Sequence, residues 1–149
     1  MTNGPPKRRL TVGVDPGRSK CGYAAVGDDG GRVCVEVVPA GALERRIEHD
    51  VDRHPIEVIC VGDATTSGCV IELCRRRWPA IPVVLVDERN TSLEARRLYY
   101  EDNPPGGLLR FVPRGLLVPK APLDGYAALL IISRYRQRLS GGKAHVVGN

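Results

Sequence analysis

The sequence predicts one mixed α/β domain: a five-stranded sheet with helices on both faces, in the order βββαβαβα. Three observations carry this. Three β-rich segments at the start are joined by short Gly/Asp/Pro turns, as hairpins require. Two later apolar runs, "IEVICVG" (56–62) and "IPVVLVDE" (81–88), are nearly continuous, as expected of strands buried on both faces. Helical spacing separates those runs, so parallel strands reached through crossovers follow the hairpins.

The elements follow in chain order. Residues 1–9 read as a basic tail. Residues 10–15 are a first strand, 22–27 and 32–38 a second and third, with "GDDGG" (27–31) turning between the last two. Ala42 to about Val51 is a helix. Val70, Ile71, Cys74 and Trp78 recur at helical spacing until Pro79 stops them. "TSLE" (91–94) is a capping box that starts a helix at Thr91. Residues 102–122 are a long Pro/Gly loop, and Pro122 opens a last helix to about Leu139. Residues 140–149 read as a C-terminal tail, leaving 10–139 as the folded domain.

At 149 residues, 42% hydrophobic and 26% charged, the chain has the composition of a soluble globular domain. No apolar run reaches the roughly 18 residues of a membrane span, and "MTNGPPKRR" lacks the apolar segment of a signal peptide. Together these predict a cytoplasmic protein. The five cysteines, Cys21, Cys34, Cys60, Cys69 and Cys74, include no C-x-x-C and sit among apolar neighbours. They read as small core residues, not a zinc site or disulfide framework. A net charge of +5 favours an anionic partner, nucleic acid being the usual one.

Chemistry is expected where apolar strands finish on acids. The first strand ends at Asp15, the last at Asp87-Glu88, on the edge where open α/β sheets form their sites. A third acid, Asp124, opens the final helix. Asp124, Ala127, Ala128, Ile131 and Tyr135 share one stripe, so Asp124 faces the sheet, where a carboxylate needs a partner. Carboxylates crowded together raise each other's pKa. A divalent cation relieves this, and oxygen-only ligands suit Mg²⁺ or Mn²⁺. Two such ions can activate water and stabilise a leaving oxygen in phosphodiester cleavage.

Four blocks, "GVDPGRSKCGYAAV", "VGDATTSG", "VLVDERNTSLEAR" and "VPKAPLDGYAALLI", resemble those of the YqgF/RuvX family in family order, over about residues 10–138. The resemblance implies an RNase H-like nuclease domain related to RuvC, acting in Holliday-junction resolution or in trimming of the small-subunit ribosomal RNA precursor. It implies Asp15, Glu88 and Asp124 as catalytic, metal-binding acids. Glu88 is preferred to Asp87 because related resolvases place a Glu at that strand end. It also implies Mg²⁺ or Mn²⁺, one ion or a pair, and branched DNA or precursor rRNA as partner. There are two departures. "Gly62-Asp63-Ala64" stands where the family has G-L-P, and the final helix has no acid after Asp124, with Gly125 next to it.

Around these acids, Arg18 and Lys20 flank Asp15 as candidate phosphate contacts. Thr65, Thr66 and Ser67 precede a helix and can hold a phosphate or merely cap it. Asp63 is a candidate fourth ligand. Arg89 can pair with a carboxylate or reach a phosphate. Arg110 and Arg114, with Phe111 between them, suit a nucleic-acid backbone from the long loop. Arg75, Arg76 and Arg77 read as a helix end complementing its dipole, and Arg134, Arg136 and Arg138 as a solvated one. Two rival classes compete with a metal-dependent nuclease. One is half of an actin-like ATPase, which would need a second such domain. The other is a catalytically weak nucleic-acid-binding domain of the same fold. The sequence leaves monomer and homodimer open.

Overall fold

The computed structural model describes residues 7–87, 91–111 and 123–141, the side chains of 91–93 and 109 excepted. Strands β1 (Leu10–Asp15), β2 (Lys20–Gly27), β3 (Arg32–Pro39), β4 (Ile56–Gly62) and β5 (Val83–Val86) form one sheet in the order β3-β2-β1-β4-β5. The hairpin strands β1, β2 and β3 pair antiparallel. β1–β4 and β4–β5 pair parallel. Helices α1 (Leu43–Arg53) and α2 (Ser67–Arg77) follow β3 and β4. Two helices, α3 (Thr91–Asp102) and α4 (Asp124–Ser140), follow β5, so the order is βββαβαβαα, one helix longer than the predicted string.

Strand alternation divides the core. Val12 and Val14 of β1, Tyr23 of β2 and Ile59 and Val61 of β4 form one cluster with Leu43 and Ile47 of α1 and Val70 and Cys74 of α2. On the other face, Ala24 and Val26 pack on Ala128, Leu129 and Ile132 of α4. Val58, Cys60, Val84 and Val86 meet Ile131 there. α4 is therefore buried between the sheet and α3, whose Ala95 joins Ala127 and Leu130.

α4 lies unusually close to the sheet because glycines clear its path. A Cβ on Gly13 would stand 2.4 Å from the Ala128 carbonyl oxygen. One on Gly125 would stand 2.9 Å from the Glu36 carbonyl oxygen and 3.0 Å from its amide nitrogen. That second contact explains the glycine next to Asp124: position 125 has little room for a side chain.

The opposite face is tied by a buried polar cluster. The Tyr23 hydroxyl, fully buried, donates to Asp50 Oδ2 at 2.6 Å. Arg46 donates to Asp50 Oδ1 at 3.0 Å, bonds Glu36, and lies 4.5 Å above the Tyr23 ring. Burial pushes the Asp50 carboxyl up, but the Tyr23 and Arg46 hydrogen bonds outweigh it and hold its pKa below the ordinary value. Burial drives the Tyr23 phenol upward, and the Asp50 bond adds to it.

Several expectations need correction. β5 is shorter than 81–88. Pro82 has no N–H for the ladder, although its carbonyl accepts from the Ile59 amide at 2.9 Å. α2 starts at Ser67, where the Ser67 amide and hydroxyl both close onto the Ala64 carbonyl, at 3.1 and 2.7 Å. The long loop is not wholly irregular, since Gly107–Phe111 is a 3-10 turn. Cys21, Cys60 and Cys74 are buried as predicted, but Cys34 is half-buried on the edge strand and Cys69 is exposed on α2. Arg134 and Arg136 are not a solvated helix end. Arg134 donates to the Asp87 carbonyl at 2.8 Å, and Arg136 to the Gly27 carbonyl at 2.9 Å. Both tie α4 to the sheet through backbone carbonyls, the Gly27 one shared with the Gly30 amide at 2.9 Å.

Candidate active site

β1 carries Asp15 to the carboxyl edge of the sheet. The turn that follows is closed tightly: a Cβ on Gly17 would lie 2.2 Å from the Lys20 carbonyl oxygen. The Cys21 thiol approaches the Gly17 carbonyl at 3.9 Å. The chain thus returns at once as β2, with Asp15 paired to Gly22.

Parity then decides the geometry. Val12, Val14 and Tyr23 point toward α1, whereas Gly13 and Ala24 meet α4. Asp15 and Gly22 therefore share the α4 face. α4 begins directly above Gly22, where an added Cβ would stand 1.7 Å from the Asp124 carbonyl oxygen and 3.1 Å from its Cα. Residues paired across an antiparallel ladder have Cα atoms about 4.5–5.5 Å apart. Asp15, as the ladder partner of Gly22, and Asp124, whose backbone rests on Gly22, thus lie on the same face of the sheet at this edge. Both are half-buried. The structure also supplies a partner that sequence reasoning missed: Lys20 Nζ lies 3.5 Å from Asp124 Oδ2.

The other acids of this edge are less convergent. Asp63 follows β4 and is exposed; its amide donates to the Val86 carbonyl at 2.8 Å. Asp87 follows β5, and its carbonyl is held by Arg134, which also approaches Glu94 at 3.4 Å. Glu88 and Arg89 lie outside the described residues, as does Arg114. Among the described residues no three His, Cys, Asp or Glu side chains gather as a metal cluster.

The candidate contacts separate. Arg18 is exposed in the β1–β2 turn. Lys20 is engaged with Asp124. The Ser67 hydroxyl is spent on the Ala64 carbonyl, while Thr66 at the α2 N-cap makes no side-chain capping bond and Thr65 is exposed. Arg110 stacks 4.8 Å from the ring of Phe111, itself 72% exposed. Arg77 bridges Glu44 at 2.7 Å and Glu48 at 3.0 Å on α1, so this part of the Arg75–Arg77 run joins two helices.

A sheet of order 3-2-1-4-5, with one long helix laid over the carboxyl edge of its first strand, has known counterparts. The fold is RNase H-like. The chain matches a structure of Thermus thermophilus RuvC with a TM-score of 0.59 at 18% identity, over 93% of this chain and 99% of that one. It matches T. thermophilus RuvC in complex with Holliday junction substrate with a TM-score of 0.54 at 15% identity, over the same shares, 93% and 99%. No family model matches the chain. No curated protein matches it in sequence. At these identities the likeness to RuvC carries the architecture, and the roles of individual residues rest on the geometry above.

The signal for the site was present in the glycines. Gly13 and Gly22 interrupt otherwise apolar strands, a pattern that marks close backbone approach. The Lys20–Asp124 pair had no such signal, because 103 intervening positions separate two residues that only α4 docking brings together.

Proposed function

We propose that this protein is a metal-dependent endonuclease that hydrolyses phosphodiester bonds in structured nucleic acid, in the manner of the YqgF/RuvX and RuvC resolvases. The observation that carries the reading is the placement of Asp15 and Asp124 around Gly22 on one face, at the carboxyl edge of β1. The likeness to a RuvC structure holding a Holliday junction supports branched DNA as substrate. The sequence blocks add precursor rRNA as the second candidate.

The donor chemistry fits Mg²⁺ or Mn²⁺: Asp15 and Asp124 offer hard oxygen ligands and are half-buried on one face of the sheet. Glu88 completes the proposed set. Glu88 is preferred to Asp87 on the resemblance of the sequence block to the related resolvases. A bound ion would supply water activation and stabilisation of the leaving oxygen. Asp15 and Asp124 would hold and orient it. Arg18, Arg110 and Arg114 would meet the phosphates, with Thr65 and Thr66 at the α2 N-terminus. Ser67 is proposed only through its backbone surroundings, because its hydroxyl already has a partner.

The test is cleavage by wild type and Asp15→Asn. Substrates are a labelled four-way junction, a flayed duplex and a ribosomal precursor, each with Mg²⁺ or Mn²⁺. Asp15→Asn removes one ligand charge at nearly constant shape. Turnover is expected to fall by several orders of magnitude, while binding measured in Ca²⁺ persists. Equal rates for the two proteins, or no cutting by either, would leave the nucleic-acid-binding reading in place of the nuclease one.

A further inference from the structure

The Lys20–Asp124 contact has a meaning beyond general attraction for phosphate. Lys20, Gly22 and Ala24 alternate onto the α4 face of β2, and the Asp124 backbone rests on Gly22. The Lys20 stem therefore runs beside the first turn of α4. Its backbone is closely approached by Gly17, while its side chain is 54% exposed. The ammonium stands 3.5 Å from Asp124 Oδ2, on the carboxylate that the proposed metal site needs.

We propose that Lys20 is an exchangeable counter-ion of this site. Its ammonium neutralises Asp124 while the site lacks a divalent ion, competes with that ion for the carboxylate, and turns to a substrate phosphate once displaced. This rests on the metal-site reading above and adds a role that a fixed phosphate contact does not have. Two physical points support it. An exposed ion pair of this kind is weak, so a divalent ion can displace it. A lysine ammonium is a compact point charge on a flexible stem, suited to exchange between two anions, whereas a guanidinium prefers a fixed fork.

The consequence is an inverse coupling between metal and Lys20. Lys20→Met should bind Mn²⁺ about two- to fivefold more tightly by titration calorimetry, in line with the modest worth of an exposed pair. In Asp124→Asn the same Lys20→Met change should have no further effect. A labelled four-way junction, titrated over a salt series, gives the second readout. In Ca²⁺, Lys20→Met should lower the slope of log K against log salt by about 0.9, one phosphate contact. In EDTA the slope should not change, because Lys20 is then held by Asp124. Equal Mn²⁺ affinity for wild type and Lys20→Met, or an equal loss of slope with and without Ca²⁺, would overturn the exchange. Both results would leave the nuclease reading standing. Wild type that binds no Mn²⁺ would overturn the exchange together with the metal site. Lys20 is exposed, and thermal melting of Lys20→Met is expected to match wild type.

Discussion

At the scale of single residues, the site depends on an absent side chain as much as on two present ones. Gly22 leaves the space that α4 fills; a methyl there would meet the Asp124 carbonyl oxygen at 1.7 Å. That atom is helix backbone and cannot rotate away, so Gly22→Ala must push the start of α4 off the sheet. Overpacking of this kind costs about 1–3 kcal/mol. It should also separate Asp124 from Asp15. Gly22→Ala is therefore expected to lower stability in urea unfolding and to lose Mn²⁺ binding while the protein is still folded. Gly68→Ala on α2 is the contrast, since nothing lies within 4 Å of its added methyl. There, in the first turn of the helix, the change should leave stability unchanged or slightly raised. A Gly22→Ala protein that binds Mn²⁺ like wild type would mean that α4 docking does not set the acid pair.

At the scale of elements, each face of the sheet is held by a different chemistry. α4 is held by apolar packing and by arginines on carbonyls; α1 is pinned also by the buried Tyr23–Asp50–Arg46 cluster. Removing one member of a buried charge pair leaves the other uncompensated, at about 3–5 kcal/mol. Asp50→Ala should cost near the lower end, because Arg46 keeps Glu36. The pH dependence has a definite sign. The folded Asp50 carboxyl lies below its ordinary value, so its stabilisation is present above about pH 4 and disappears as pH falls through the folded value. Urea midpoints of wild type and Asp50→Asn should differ most at pH 7 and draw together as pH falls below about 4. A constant gap would assign the effect to shape instead of charge. This element-level contrast also shows what the sequence could disclose. Strands and most helices were legible because 2- and 3.6-residue periodicities are local. Asp15 was legible as an acid ending an apolar strand. The roles of Arg134, Arg136 and Asp50 were not, because each depends on a carbonyl or hydroxyl far along the chain that only packing brings near.

At the scale of the whole molecule, the net charge of +5 says that an anion is favoured but not where it binds. The fold sorts the cations. Arg77 is committed to Glu44 and Glu48, Arg46 to Glu36 and Asp50, and Arg32 to Asp102 at 2.8 Å. These pairs hold helices and hairpin together, and their charge is largely cancelled at short range. Arg110 differs: it lies over the face of Phe111, and nearby Leu108 is 85% exposed. A cation stacked on an exposed ring combines phosphate attraction with a surface on which an unpaired base can lie. Arg110→Ala with Arg114→Ala should therefore lower the salt slope of junction binding by about 1.4–1.8, the sum of two contacts at 0.7–0.9 each. Phe111→Ala should weaken binding to single-stranded arms at nearly unchanged slope, because stacking releases no counterions. Arg77→Ala should leave the slope alone and lower the melting temperature, since its partners are carboxylates of this chain. Anisotropy titrations of the three proteins over one salt series distinguish these outcomes. If Arg77→Ala changed the slope as much as the loop pair, the nucleic acid would be crossing the α1–α2 face, which would argue against the proposed site at the carboxyl edge of β1.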